Sequence, residues 1–131
     1  MRILIAEDQP ATASILETIL SGYGTCDVVD NGKKAVRAVE RAFKERKPYD
    51  LICLDLMMPE MGGREALLTI RQVEKDNSRH SLSHYSKIMI VTAVSDTHNR
   101  AGALSDGAAV YITKPFRKDE LIRQLKAMGF I

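Results

Sequence analysis

Leu51-Ile52-Cys53-Leu54-Asp55 is the stretch that decides the fold: four consecutive apolar residues closed by a carboxylate. A strand with one wet face alternates apolar and polar residues, whereas a strand covered on both faces reads as an unbroken apolar run. The stretch therefore marks a central strand of a helix-covered sheet, with Asp55 at its carboxyl end. The pattern repeats outward in both directions. Ile3-Leu4-Ile5-Ala6 and Lys87-Ile88-Met89-Ile90-Val91 are further apolar runs, and Val110-Tyr111-Ile112 is a shorter one. Cys26-Asp27-Val28-Val29 is more polar and suits a sheet edge.

Segments of helical period separate these strands. Ile15, Leu16, Ile19 and Leu20 predict the inner face of a helix from about Pro10 to Ser21, stopped by Gly22 and Gly24. The turn Asp30-Asn31-Gly32 opens a second helix, to about Arg46, with Ala35, Val36, Val39 and Phe43 inward. Ala66, Leu67, Ile70 and Val73 mark a third, Thr97 to Ser105 a short fourth, and Arg117 to Met128 a fifth. Lys75 to Ser86 is the least regular stretch and predicts an exposed loop. Five strands alternating with five helices imply an α/β, doubly wound, mostly parallel sheet with helices on both faces. No repeat or linker divides the chain, so one domain over residues 1–131 is expected.

Composition narrows the function classes. The chain has 131 residues, 45% of them hydrophobic and 27% charged, as in soluble globular domains. A net charge of +2 with no prominent Lys/Arg run argues against a nucleic-acid partner. The first apolar run stops at Glu7-Asp8, too short for a signal peptide or for a membrane span of about 20 residues. No membrane association and a cytoplasmic location are expected. Cys26 and Cys53 lack CxxC spacing and read as reduced, buried thiols. His80 and His84 stand four residues apart, but without a third ligand nearby they read as solvated loop residues.

In doubly wound sheets, ligand chemistry gathers at the carboxyl ends of the strands. Glu7 and Asp8 follow the first strand, Asp55 the third, Thr92 and Ala93 the fourth, and Lys114-Pro115 the fifth. Each has an ordinary reading alone: helix-end acids, a turn aspartate, a strand-end threonine, a solvated lysine. Together they place three carboxylates, a hydroxyl and an ammonium on one rim. Clustered carboxylates repel one another, and Mg²⁺, a hard cation with oxygen ligands, relieves that repulsion. A carboxylate can also serve as a nucleophile, giving an aspartyl-phosphate, while a cation and a lysine answer the charge on the equatorial oxygens.

Glu7-Asp8, Asp55, Met58-Pro59, Gly63, Thr92-Ala93, Tyr111 and Lys114-Pro115-Phe116 together resemble the receiver domain of two-component response regulators. The resemblance covers essentially the whole chain. It implies a flavodoxin-like fold with strand order 2-1-3-4-5. It implies that Asp55 accepts phosphate from a histidine kinase or histidine phosphotransfer protein. Asp8, Asp55 and the backbone carbonyl of Met57 would ligate Mg²⁺, with Glu7 helping to hold it. Lys114 and Thr92, with Ala93 beside it, would contact the phosphoryl group, and the Lys114–Pro115 bond would be cis. Tyr111 would then move inward and remodel a protein-binding surface on the fourth helix, fifth strand and fifth helix. The state implied is a monomer or a phosphorylation-dependent dimer.

Two departures from the commonest pattern are Glu7 in place of an aspartate and Gly62 where Asp often precedes the loop glycine. Met57 and Val94 flank the route of the hydrolytic water in this family, and both are apolar, so slow loss of phosphate is expected. A phosphohydrolase of the haloacid dehalogenase type would need an acid at Met57, two residues after the nucleophile, and a cap domain. A flavodoxin would need a Ser/Thr/Gly-rich phosphate loop where Glu7-Asp8-Gln9-Pro10 stands. A degenerate receiver that binds partners without phosphorylation is opposed by Glu7, Asp8, Asp55, Thr92 and Lys114. The sequence ends at Ile131, just after the fifth helix. The expectation is a stand-alone switch rather than an enzyme, with no output domain.

Overall fold

In the computed structural model, which describes residues 1–78 and 84–131, the apolar runs become strands and the periodic segments helices. The strands are β1 (Arg2–Ala6), β2 (Thr25–Val29), β3 (Leu51–Leu54), β4 (Lys87–Thr92) and β5 (Val110–Thr113). They alternate with α1 (Pro10–Leu20), α2 (Gly32–Lys44), α3 (Gly63–Asn77), α4 (Thr97–Ser105) and α5 (Lys118–Ala127). All pairings are parallel, and the order is β2-β1-β3-β4-β5. This is the doubly wound sheet expected from the sequence. Cys53 of β3 aligns with Ile5 of β1 and with Met89 of β4. That register brings the carboxyl ends of the three central strands to one rim.

Alternating strand side chains build a core on each face of the sheet. Leu4, Ile52, Leu54, Ile88 and Ile90 pack with residues of α2 and α3 such as Phe43 and Leu67. Ile3, Ile5, Leu51, Cys53, Met89 and Val91 pack on the other face with α1 and α5. β2 is an edge strand with no fully buried residue, which accounts for its polar composition. Asn31 and Asp96 cap α2 and α4, their side chains accepting from the backbone N–H groups of Lys34 at 2.9 Å and Asn99 at 3.0 Å. Pro10 opens α1, where its missing N–H costs no helical bond.

Three expectations change. Ile15 is 53% exposed rather than inward, because the buried face of α1 is set by Ala13, Leu16 and Leu20. Cys53 is buried, but Cys26 lies on the edge strand and is only partly covered. The loop placed at Lys75 to Ser86 starts later, since α3 continues to Asn77. A buried anchor accounts for this extension. Glu74 is fully buried, accepting from Arg71 at 2.5 Å and from the Ser86 N–H at 2.6 Å. Ser86 is itself buried and donates its hydroxyl to the Tyr49 carbonyl. Of the histidine pair, His80 lies outside the described residues, and His84 Nε2 sits 2.7 Å from the Tyr49 carbonyl oxygen. No helix among the described residues is long and apolar enough to cross a membrane.

Candidate functional site

The site is assembled by backbone extensions of the sheet. The Asp55 N–H donates to the Ala6 carbonyl at 3.1 Å, and the Glu7 N–H to the Val29 carbonyl at 3.0 Å. The Lys114 N–H donates to the Thr92 carbonyl at 2.7 Å. The side chains that leave the strand ends are thereby fixed relative to one another. The Lys114–Pro115 peptide is cis, as expected. Opposite the strands, the loop from Leu56 to Gly62 is held by the Gly63 N–H on the Leu56 carbonyl at 3.0 Å. Gly63 has no room for a side chain: a Cβ there would stand 2.0 Å from the Asp55 carbonyl oxygen.

Glu7, Asp8 and Asp55 converge as expected, each offering an oxygen within 4.8 Å of the others. Glu7 and Asp55 are buried, and Asp8 is the most exposed of the three. Lys114 Nζ donates to Asp55 Oδ2 at 2.8 Å, to Glu7 Oε1 at 2.5 Å and to Gln9 Oε1 at 3.3 Å. The Met57 N–H donates to Asp55 Oδ1 at 3.0 Å, while the Met57 side chain is 65% exposed. Thr92 is fully buried, and its hydroxyl accepts from the Val94 N–H at 3.3 Å. Asp8, Asp55, Met57, Pro59, Ala93 and Lys114 line an open pocket of about 420 Å³.

The electrostatics separate the two buried carboxyls. Burial alone would raise Asp55, but hydrogen bonds from Lys114, the Met57 amide and Thr92 outweigh it and hold its carboxyl below the usual range. For Glu7, burial prevails over Lys114 and the Gln9 amide, with Asp55 adding repulsion, and the carboxyl is raised. Burial would depress Lys114, yet its bonds to Asp55 and Glu7 raise it. Asp55 is therefore the group held as a carboxylate, and Lys114 the group held as a cation. The donor set is entirely oxygen, which suits a hard divalent cation and not a soft metal.

Tyr111 is turned inward, 6% exposed, and donates its hydroxyl to the Val94 carbonyl at 2.5 Å. The Arg100 guanidinium lies 5.6 Å above its ring. Sequence reasoning missed Arg100, the Val94 carbonyl and Gln9 as contacts of these residues. Only Gln9 carried a signal, following Glu7-Asp8 directly.

The family model "Response regulator receiver domain" matches residues 3–126. The cell cycle transcriptional regulator CtrA of Caulobacter vibrioides is 35% identical over 98% of this chain, which covers 50% of that protein. The response regulator ArlR of Staphylococcus saprophyticus is 36% identical over 97% of this chain, covering 51% of it. The chain thus spans about half the length of the curated relatives it matches. Among solved structures, the receiver domain of the sensor histidine kinase PA1611 from Pseudomonas aeruginosa, with a magnesium ion coordinated in its active-site cleft, is 31% identical. The two superpose with a TM-score of 0.75, over 96% of this chain and 94% of that one.

Proposed function

Because this chain belongs to the response regulator receiver family of two-component signalling, we propose that Asp55 is its phosphoacceptor, taking a phosphoryl group from a histidine kinase or histidine phosphotransfer protein. The observation that carries this reading is the Lys114 ammonium, held between Asp55 and Glu7 within a pocket open to a donor. An Asp55 oxygen forms the new O–P bond as the donor's N–P bond breaks, and the departing imidazole takes up a proton from water. Asp55 is suited to attack because its carboxyl is held ionised. Lys114, released from Glu7 or still shared with it, faces the phosphoryl oxygens, and the Thr92 hydroxyl and Ala93 flank them. Glu7, Asp8, Asp55 and the Met57 carbonyl would hold Mg²⁺, whose positive charge offsets that of the crowded oxygens. The magnesium in the PA1611 receiver supports that assignment.

The phosphorylated domain signals through the surface of α4, β5 and α5, to a protein partner or to a second copy. Tyr111, seated against Val94, belongs to this surface. Met57 stands where a phosphohydrolase of the haloacid dehalogenase type needs its acid, so phosphate stays on Asp55 and is lost slowly. The proposal concerns the domain. The curated relatives extend to about twice the matched span. Beryllofluoride with Mg²⁺, which mimics the aspartyl-phosphate, tests the reading by NMR. Saturable shifts at Asp55, Thr92 and Lys114, abolished by Asp55→Asn, are expected. Shifts that persist in that variant would overturn it.

A further inference from the structure

The net charge of +2 conceals a strong local asymmetry. Lys33, Lys34, Arg37, Arg41 and Lys44 against Glu40 give α2 a net charge of +4, so the rest of the chain carries −2. The sequence shows no unbroken basic run, because helical spacing disperses these residues and only the fold gathers them. Lys33, Arg37 and Arg41 follow one another at four-residue steps, about 6 Å apart along the helix axis, and Lys44 continues the ridge. All four are exposed. Among the described residues none of them joins an ion pair, whereas Lys34 pairs with Asp30 at 3.0 Å. Lys33 with Arg37, and Arg37 with Arg41, repel mildly at four-residue spacing, whereas Arg41 and Lys44 in the last turn suit the negative end of the helix.

Beside the ridge, between α2 and the edge strand β2, runs a cleft of about 400 Å³. Val28, Val29, Ala38 and Ala42 form its apolar part, Arg2, Asp27 and Glu45 line it as well, and Arg41 stands on its lip. Val28, on the edge strand, is 40% exposed. The ridge and the cleft together present cations at a helical repeat next to a mixed slot whose apolar part is Val28, Val29, Ala38 and Ala42. At its amino end the ridge meets the acids Asp8, Asp30 and Glu60, and Glu40 interrupts it midway.

We propose that this face is a docking surface for a protein partner, and that the part it receives is an acidic amphipathic helix. Such a helix carries Glu or Asp every fourth residue to meet Lys33, Arg37 and Arg41, and sets an apolar residue into the cleft over Val28 and Ala38. Its separate charges allow a cation opposite Glu40. A nucleic acid offers no apolar side chain for Val28 and Ala38, and its charge runs on without a break past Glu40, where a helix can place a cation. The face lies away from α4, β5 and α5 and meets the Asp55 site only at Asp8 and Pro59, so it adds a partner to the function proposed above.

The test uses a fluorescent helical peptide with Glu at every fourth position and Leu on the adjoining face. A peptide of the same composition with shuffled positions and a short DNA duplex serve as comparators. Anisotropy is expected to show the ordered peptide binding at least tenfold more tightly than either. Salt should weaken the complex, and R37E/R41E and Val28→Asp should each weaken it at least tenfold. Beryllofluoride binding by both variants reports that they remain folded. Should a variant fail to fold, amide shifts of the wild-type protein decide: perturbations along β2 and α2 support the proposal. Equal binding of the shuffled peptide, tighter binding of the duplex, no binding, or shifts confined to another face would overturn it.

Discussion

Gly63→Ala asks how closely the phosphoacceptor strand and the following helix must approach. The added Cβ would lie 2.0 Å from the Asp55 carbonyl oxygen and 2.8 Å from the Leu56 Cα, against ordinary contacts from 3.4 Å upward. The shortfall of about 1.4 Å is set by backbone on both sides, so no side chain can rotate away to relieve it. The start of α3 must retreat from β3, loosening the Gly63 N–H bond to Leu56 and the packing of Ala66 and Leu67 behind it. Overpacking of this kind costs about 3 kcal/mol, which for a domain of this size lowers Tm by about 10 °C. The neighbouring glycine supplies the control. At Gly62 the backbone is ordinary, φ −69°, and a Cβ would stand 3.3 Å from the Leu56 carbonyl oxygen. Gly62→Ala is therefore expected to change stability by less than about 1 kcal/mol. Urea unfolding of the two variants beside wild type measures both effects, and beryllofluoride affinity should fall only in Gly63→Ala. Equal stability of the two variants would refute the close approach.

Arg71→Ala strands the buried Glu74 carboxylate and should cost about 3–5 kcal/mol by denaturant unfolding; a loss below 1 kcal/mol would show that Glu74 is satisfied without it. Met57→Asn places a polar side chain at the mouth of the pocket and should speed loss of phosphate on the order of tenfold, followed after acetyl-phosphate loading; an unchanged rate would remove Met57 from the hydrolytic route. Burial, with Asp27 beside it, raises the Tyr49 phenol well above its ordinary value. The unfolded chain therefore loses that proton first, and the stabilisation present below about pH 10 falls away as pH rises. Tyr49→Phe should flatten this alkaline limb of the stability profile, and an unaltered limb would assign it to another group.

The fold was legible because β3 and β4 are buried on both faces and wrote themselves as unbroken apolar runs, while α2 and α3 kept a clear helical period. The convergence of Glu7, Asp8, Asp55 and Lys114 followed from topology, since a parallel sheet puts all these strand ends on one rim. What escaped depended on distance in the chain or on side-chain direction. The burial of Glu74 rests on Arg71 and on Ser86, 12 residues away, so no local pattern shows that α3 continues through Asn77. Ile15 fits the apolar period of α1 but lies to one side of the stripe that meets the sheet. Tyr111 sits inward because its hydroxyl finds the carbonyl of Val94, 17 residues earlier, a contact that strand periodicity does not encode. The basic ridge of α2 is dispersed in sequence and continuous only on the helix.

The most direct measurement is to load the protein with acetyl phosphate in Mg²⁺ and locate the phosphoryl group by mass spectrometry after reductive trapping. One phosphoryl group on Asp55, absent with chelator and in Asp55→Asn, is the expected result. Modification at another residue, or equal modification of Asp55→Asn, would contradict Asp55 as the phosphoacceptor.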